Sequence, residues 1–246
     1  MKTYLEICKG VCREASIASG ESAITSVAAN TGQLQRIVAN VQQAWVEVQN
    51  MHQHSGLYWR WMRREFTLTT VSGTSKYAFD SSAIKDTTES LPGTAVSRFR
   101  NWLIKSYSDP VKIYLTSSGV GGEGWLTYMD WNEFKYIYKT GTQNSAMPSV
   151  ITIDPQNKIQ IGPVPNDIYT ITGDFMLSAQ VLLNDGDMPD IPVDFEDLIM
   201  WKALSRHGLQ KNASELVVIG EDSAATYLGQ LESDQLSEIP IGVPLA

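Results

Sequence analysis

Leu34-Gln35-Arg36-Ile37-Val38-Ala39-Asn40-Val41-Gln42-Gln43-Ala44-Trp45-Val46-Glu47-Val48 decides the fold class. Leu34, Ile37, Val38, Val41, Trp45 and Val48 fall at i, i+3, i+4, i+7, i+11 and i+14, one face of a helix. A second set of helical apolar positions follows Asp194: Leu198, Ile199, Leu204, Leu216, Ile219, Tyr227, Leu228 and Leu231. One stripe cannot stay dry alone, so the two ends of the chain are expected to pack together. The residues between them read as strands and loops. The expected class is α+β: a helical bundle from the N- and C-terminal helices with a central antiparallel β insertion. The expected boundaries are 1–64 and 187–235 for the bundle, 65–186 for the β-rich insertion, and 236–246 for an extended tail.

Working outward, residues 3–16 read as a short helix with Leu5, Cys8, Val11, Cys12 and Ala15 on one side. Residues 16–29 are a Ser/Ala/Gly connector. Asn30 with Gln33 resembles a capping box for the long helix, which is expected to run to about His54 and stop at Ser55-Gly56. From Glu65 the period changes to two. Phe66, Leu68 and Thr70, then a turn at Ser72-Gly73, then Tyr77 and Phe79 predict a hairpin over 65–80. Further strands are expected at 111–116, 149–153, 158–162 and 168–176, with a turn at Asp154-Pro155-Gln156-Asn157. Residues 130–137 read as a short helix capped by Asp130, with Glu133 at N3. Asp187–Pro192 reads as an extended approach to the last helices, because residues before proline avoid the α region. Asp194 is the expected cap of the first of these and Gly208 its C′ residue. Asn212 with Glu215 is the expected cap of the second, which runs to about Glu232.

The 246 residues are 43% hydrophobic and 19% charged, an ordinary globular composition. The net charge of −8 argues against non-specific duplex binding, since affinity for phosphate comes from Lys and Arg displacing counterions. It does not argue against a protein that surrounds DNA and lets it slide. Cys8 and Cys12, four apart on a helix, are badly placed for a disulfide and read as small buried apolar residues. No apolar run of membrane-spanning length is present, and the first residues lack the apolar core of a signal peptide. The expected setting is a reducing cytoplasm.

Catalytic signatures are lacking. His52 and His54 stand two apart, not the i, i+4 of a helical metal pair, and no Cys or carboxylate cluster joins them; His207 beside Gly208 is similarly isolated. Gly119-Val120-Gly121-Gly122-Glu123-Gly124 lacks the Gly-Lys-Ser/Thr of a phosphate loop and reads as a flexible loop. Asn184-Asp185-Gly186-Asp187 lacks EF-hand spacing and reads as a turn. No Gly-x-Ser-x-Gly elbow is present. No catalytic residue, cofactor or metal is expected. Arg60, Arg63 and Arg64 among Tyr58, Trp59 and Trp61 could form a base-stacking patch, but the patch is short, lies at a helix-to-strand junction, and Arg, Trp and Tyr serve protein interfaces as well, which favours core or subunit interface. Trp45, Trp59, Trp61, Arg60 and Arg63 are taken as core or subunit interface. Ile239, Pro240, Ile241, Val243, Pro244 and Leu245 form an apolar tail without helical period, suited to a groove on a partner.

The layout resembles the head-to-tail adaptor proteins of tailed bacteriophages. The resemblance is carried by Leu5-Glu6-Ile7-Cys8-Lys9-Gly10-Val11-Cys12-Arg13-Glu14, Val41–Gln49 and Trp59-Arg60-Trp61-Met62-Arg63. Ile161-Gly162-Pro163-Val164-Pro165 with the strand from Tyr169, and Ile191–Ile199, complete it. It implies a ring of about twelve copies beneath a portal protein, with tail or nozzle proteins on the other side. Viral DNA would pass through the channel without sequence-specific contact, and the tail from about Leu236 would reach into the portal. The implied location is the virion neck, after synthesis in the host cytoplasm, with no membrane involvement. Alternatives are a stopper or tail terminator, a virion cell-wall hydrolase, or a glycan-binding β module using Trp102, Trp125 and Trp131.

Overall fold

The computed structural model describes residues 1–17, 24–51, 58–88, 93–105 and 110–236. The chain forms two compact units, one from Met1–Trp61 with the chain from Ala179, the other Met62–Ser178. The class is α+β, with helices at both ends of the chain and a large sheet in the middle.

Among the described residues, four α-helices build the first unit: α1 (Tyr4–Glu14), α2 (Gly32–Asn50), α4 (Asp197–Lys211) and α5 (Ser214–Gln235). α1 starts on a capping box: Thr3 Oγ1 accepts from the Glu6 amide at 3.3 Å, and the Thr3 amide donates to Glu6 Oε2 at 2.7 Å. Ile7, Cys8, Val11 and Cys12 are its buried stripe, and both thiols are free. Ile37, Val41, Ala44, Trp45 and Val48 are the buried stripe of α2. α4 packs against α1, α2 and α5, so the two ends of the chain do share a core.

The ends of these helices differ from the sequence expectation. Thr31, not Asn30, precedes α2, and it makes no side-chain cap bond. Asn30 instead donates to the carbonyl of Ser26 at 2.6 Å, a local bond that competes with capping. The expected stop at Ser55-Gly56, and His52 and His54, lie outside the described residues. Asp194 sits in a single 3-10 turn, Val193–Phe195, and α4 begins at Asp197 after Glu196, without a side-chain cap. Gly208 does not end α4. It lies inside the helix, and Asn212, left-handed at φ 54°, closes it.

Gly208 has a packing reason. A Cβ there would meet Val217 N at 2.9 Å, and one at Gly220 would meet Ser205 N at 2.8 Å. These two glycines let the backbones of α4 and α5 approach each other. Facing α4 with Gly220 and Ala224 turns Ile219, expected as core, outward to 51% exposure.

The second unit holds β1 (Arg63–Thr69), β2 (Lys76–Tyr77), β3 (Ile84–Asp86), β4 (Thr94–Ala95), β5 (Phe99–Leu103), β6 (Val111–Leu115), β7 (Gly124–Tyr128), β8 (Ser145–Ala146), β9 (Val150–Ile153), β10 (Ile159–Gly162), β11 (Val164–Pro165) and β12 (Tyr169–Leu177). The large sheet runs β2-β10-β9-β7-β6-β12-β1-β3-β4, with β5 also on β12. Its pairs are antiparallel except β7 with β9, which is parallel, so the sheet is mixed; β8 and β11 pair in parallel as a separate two-stranded sheet. The expected hairpin over 65–80 does not form. β1 pairs with β12 and β3, while β2 pairs with β10. The β9–β10 hairpin does form, and Asp154 Oδ1 accepts from the amides of Gln156 and Lys158 at 2.9 and 3.0 Å to shape its turn. Gly119–Gly122, expected to be a flexible loop, is a 3-10 turn leading into β7. α3 (Trp131–Tyr138) starts on Asp130, whose carboxylate accepts from the Asn132 amide at 2.8 Å. The core is aromatic: Phe66 meets Trp102 edge-on at 4.8 Å between centroids, and Trp102 lies 4.5 Å from Phe99.

Candidate interaction surfaces

No group of His, Cys, Asp and Glu able to hold a metal occurs among the described residues. No described helix is long and apolar enough to cross a membrane.

Trp45 is fully buried in the helical unit, and its indole donates to Gln180 Oε1 at 3.1 Å. Gln42 and Gln49 extend this role. Their side-chain oxygens accept from the amides of Leu182 and Gln180 at 3.1 and 2.6 Å, pinning the segment after Ala179 to α2. That segment is ordered yet bears Val181 and Leu183 in solvent, Leu183 at 71% exposure. Asp187 folds it into a turn by accepting from the amides of Leu183 and Asn184. These backbone bonds hold the Asp187 carboxyl below the usual carboxylate range.

Trp59 is buried and stacked on Trp61 at 4.8 Å, with its indole donating to the Val48 carbonyl at 2.8 Å. Arg60 donates to the Asp234 carbonyl in α5. Arg63 belongs to the β unit, where it pairs with Asp174 across β1 and β12. Trp59, Arg60 and Arg63 are thus each engaged in a bond within their own unit. Ile239, Pro240, Ile241, Val243, Pro244 and Leu245 lie outside the described residues.

The seam between α2 and α4 is polar. Glu47 pairs with Lys202 at 3.2 Å and with Arg206. Burial pushes its carboxyl up, but these two cations outweigh burial and hold it below the ordinary value. Asn40 and Gln210 exchange amide bonds at 3.0 and 3.2 Å. A shallow groove of about 360 Å³ runs along the seam, lined by Gln42, Gln43, Val46, Glu47 and Arg206. A second cavity, of about 410 Å³, lies where α1 meets the start of α4, with Lys2, Lys9, Arg13, Glu6 and Asp197 on its walls. His207 is buried near Gln33. Burial first, then the charges of Lys211 and Arg36, push its imidazole below the ordinary value.

α5 is different. It carries Glu215, Glu221, Asp222, Glu232 and Asp234 and no Lys or Arg. Its outward face adds Val218 at 57% exposure beside Ile219. In the β unit the exposed apolar side chains include Tyr136 and Ile137 on α3, Val71, Val120 and Ile168, and Trp125, over which Lys112 sits at 5.4 Å. Of the three tryptophans weighed for glycan binding, Trp102 is buried against Phe66.

A family model described as SU10 adaptor protein matches residues 2–241. The chain belongs to the SU10 adaptor protein family. No curated protein matches it. As an SU10 adaptor it is a phage adaptor protein, a structural component of the virion that associates with other phage capsid or tail proteins.

The sequence reading passed over the acid-only character of α5. Its signal was present: no Lys or Arg follows Lys211, against six Asp and Glu from Glu215 onward.

Proposed function

We propose that the chain is the ring subunit of a head-to-tail adaptor. About twelve copies join a portal protein to tail or nozzle proteins and surround a channel for viral DNA. The observation that carries this reading is the family match from residue 2 to 241, which leaves almost none of the chain for another role. The charge distribution supports the channel. Residues 1–61 and 179–246 hold 8 Lys and Arg against 16 Asp and Glu, while residues 62–178 hold 11 of each. A net acidic helical unit repels phosphate and lets DNA slide without sequence contact. The apolar tail, Ile239, Pro240, Ile241, Val243, Pro244 and Leu245, is assigned to a groove on the portal.

The test is size-exclusion chromatography with light scattering, for the purified chain mixed with the portal of the same phage. A complex containing many adaptor copies is expected. Removing residues 239–246 should weaken that complex and leave the melting temperature of the free chain unchanged. An adaptor that ignores the portal but binds assembled neck particles would be a stopper or tail terminator instead.

A further inference from the structure

Charge is divided within the helical unit itself. α2 and α4 together carry Arg36, Lys202, Arg206 and Lys211 against Glu47, which is paired with Lys202 and Arg206, and Asp197, which is paired with Lys2. α5 carries five acids and no base. α4 lies between them. Its Lys202, Arg206 and Gln210 turn toward α2, and its Ser205 and Gly208 turn toward α5, nearly the opposite side of the helix. The unit therefore offers a basic, grooved seam on one side and an acidic helix on the other.

The acidic side is also apolar. Glu215, Val218, Ile219, Asp222 and Ala225 follow i, i+3, i+4, i+7 and i+10, and all are exposed. An isolated surface helix normally has polar residues on this face. Here two branched aliphatics sit between carboxylates, the pattern of a helix that lies in a groove. The seam has the matching chemistry. Val46 lies in the groove, Gln42 and Gln43 can donate hydrogen bonds, and Arg206 flanks it, paired with Glu47 on the same wall. Arg36 and Lys211 are exposed near one end of the seam. α5 is about 33 Å long and the seam over α4 about 22 Å, so the helix can cover it.

We infer that the outward face of α5 in one copy, centred on Val218, Ile219 and Asp222, docks into the α2–α4 groove at Gln43, Val46 and Arg206 of a second copy. The two faces are unlike and lie on opposite sides of one unit, so the contact is head-to-tail and can close a ring. Opposite charge selects this pairing over α5 against α5, where ten carboxylates would meet. The inference rests on the ring reading above and names the faces that make the ring.

The test uses two full-length variants, Val218→Cys and Gln43→Cys, each adding one exposed thiol to the buried Cys8 and Cys12, purified separately and mixed under mild oxidant, with the unsubstituted chain as the background control. Both sites are exposed, and unchanged circular-dichroism melts confirm folding. A disulfide heterodimer is expected at several times the yield of either homodimer and of a control pair, Val218→Cys with Trp125→Cys. Asp222→Lys added to the first partner should cut the yield severalfold, and Arg206→Glu added to the second should restore part of it. Raising salt to 0.5 M should also lower the yield, about what a Debye length near 4 Å implies. Preferential Val218→Cys homodimers, or a heterodimer no stronger than the control, would overturn the inference. Light scattering of the wild-type chain with portal separates the two readings. A multicopy complex without the heterodimer sinks only the α5–groove contact, and absence of any multicopy complex sinks the ring as well.

Discussion

The two units of this chain hold themselves together by different means. The β unit is electrically neutral and is organised around large rings: Phe66, Phe99, Trp102 and Phe175 interlock between strands. The helical unit carries the whole net charge and packs its last two helices through glycine, with backbone nearly touching backbone. One core tolerates no loss of volume, and the other tolerates no gain. The difference also divides the surface. A neutral sheet with scattered exposed apolars suits contacts of modest specificity, while a charge-segregated helical unit can select an orientation.

The comparison breaks most sharply at Phe66. It is fully buried, packs on Trp102 and lies over Gly173, where a Cβ would meet its ring at 3.0 Å. Phe66→Ala is expected to cost about 4 kcal/mol, measured by urea unfolding followed by circular dichroism. A loss below about 1 kcal/mol would mean that the ring cluster collapses to fill the space and is not the tight core described above.

The opposite lesion belongs to the helices. Gly220→Val adds volume where Ser205 N, Cβ and Cα already stand at 2.8 to 3.0 Å. Backbone cannot give way as a flexible side chain can. A loss of about 3 kcal/mol is expected in the same unfolding experiment. Gly229→Ala is the control. Nothing stands within 4 Å of its added Cβ, and it should be neutral or slightly stabilising, since alanine favours helix.

Charge inside the neutral unit gives a smaller effect. The Asp154 carboxylate is buried and accepts from Lys76 Nζ at 2.8 Å, Gln160 Nε2 at 2.9 Å and two turn amides. Burial pushes its carboxyl up, but Lys76 and these donors outweigh burial and hold it below the ordinary value. A lowered folded pKa means that the unfolded chain binds the proton first. The stabilisation is complete above the unfolded value near 3.9 and is lost as pH falls through the folded one. Asp154→Asn should cost about 2 kcal/mol at neutral pH. It should also flatten the fall in stability below pH 4 that the wild type shows in acid titration of its urea midpoint.

How much of this was legible follows from the range of each interaction. The α2 stripe and the β9–β10 hairpin were readable because period and turn chemistry are local: Ile37, Val41 and Trp45 recur at helical spacing, and Asp154 bonds two residues ahead. The partner of β1 was not. Its alternation is the same whether it pairs with β2 nearby or with β12 a hundred residues later, and only the fold decides. The two parallel pairs were hidden for the same reason. Gly208 was misread because a glycine that ends a helix and one that admits a neighbouring helix look alike until the neighbour, Val217, is in place. Trp45 and Trp59, read from sequence as core or subunit interface, are both buried, and the partner of each indole N–H, Gln180 and the Val48 carbonyl, is one that sequence does not name.

The mildest test returns to the helical unit and asks whether its buried polar seam senses acidity. His207 lies at the α2–α4 contact, with its Nε2 3.4 Å from the Gln33 amide nitrogen and Arg36 and Lys211 close enough to oppose a third positive charge. Its folded pKa lies below the ordinary imidazole value, so the unfolded chain takes up the proton first. Stability should therefore fall as pH drops through about 6.5 and go on falling to the folded pKa. No carboxylate competes for the imidazole in this contact, which is why the direction is fixed by burial and the two cations. His207→Leu keeps the volume and removes the titration. The difference between wild-type and variant urea midpoints should be steeper in pH between 7 and 5 than between 9 and 7. If the two midpoints run parallel across that window, the imidazole titrates alike in the folded and the unfolded chain, and the seam is less dry than its neighbours make it.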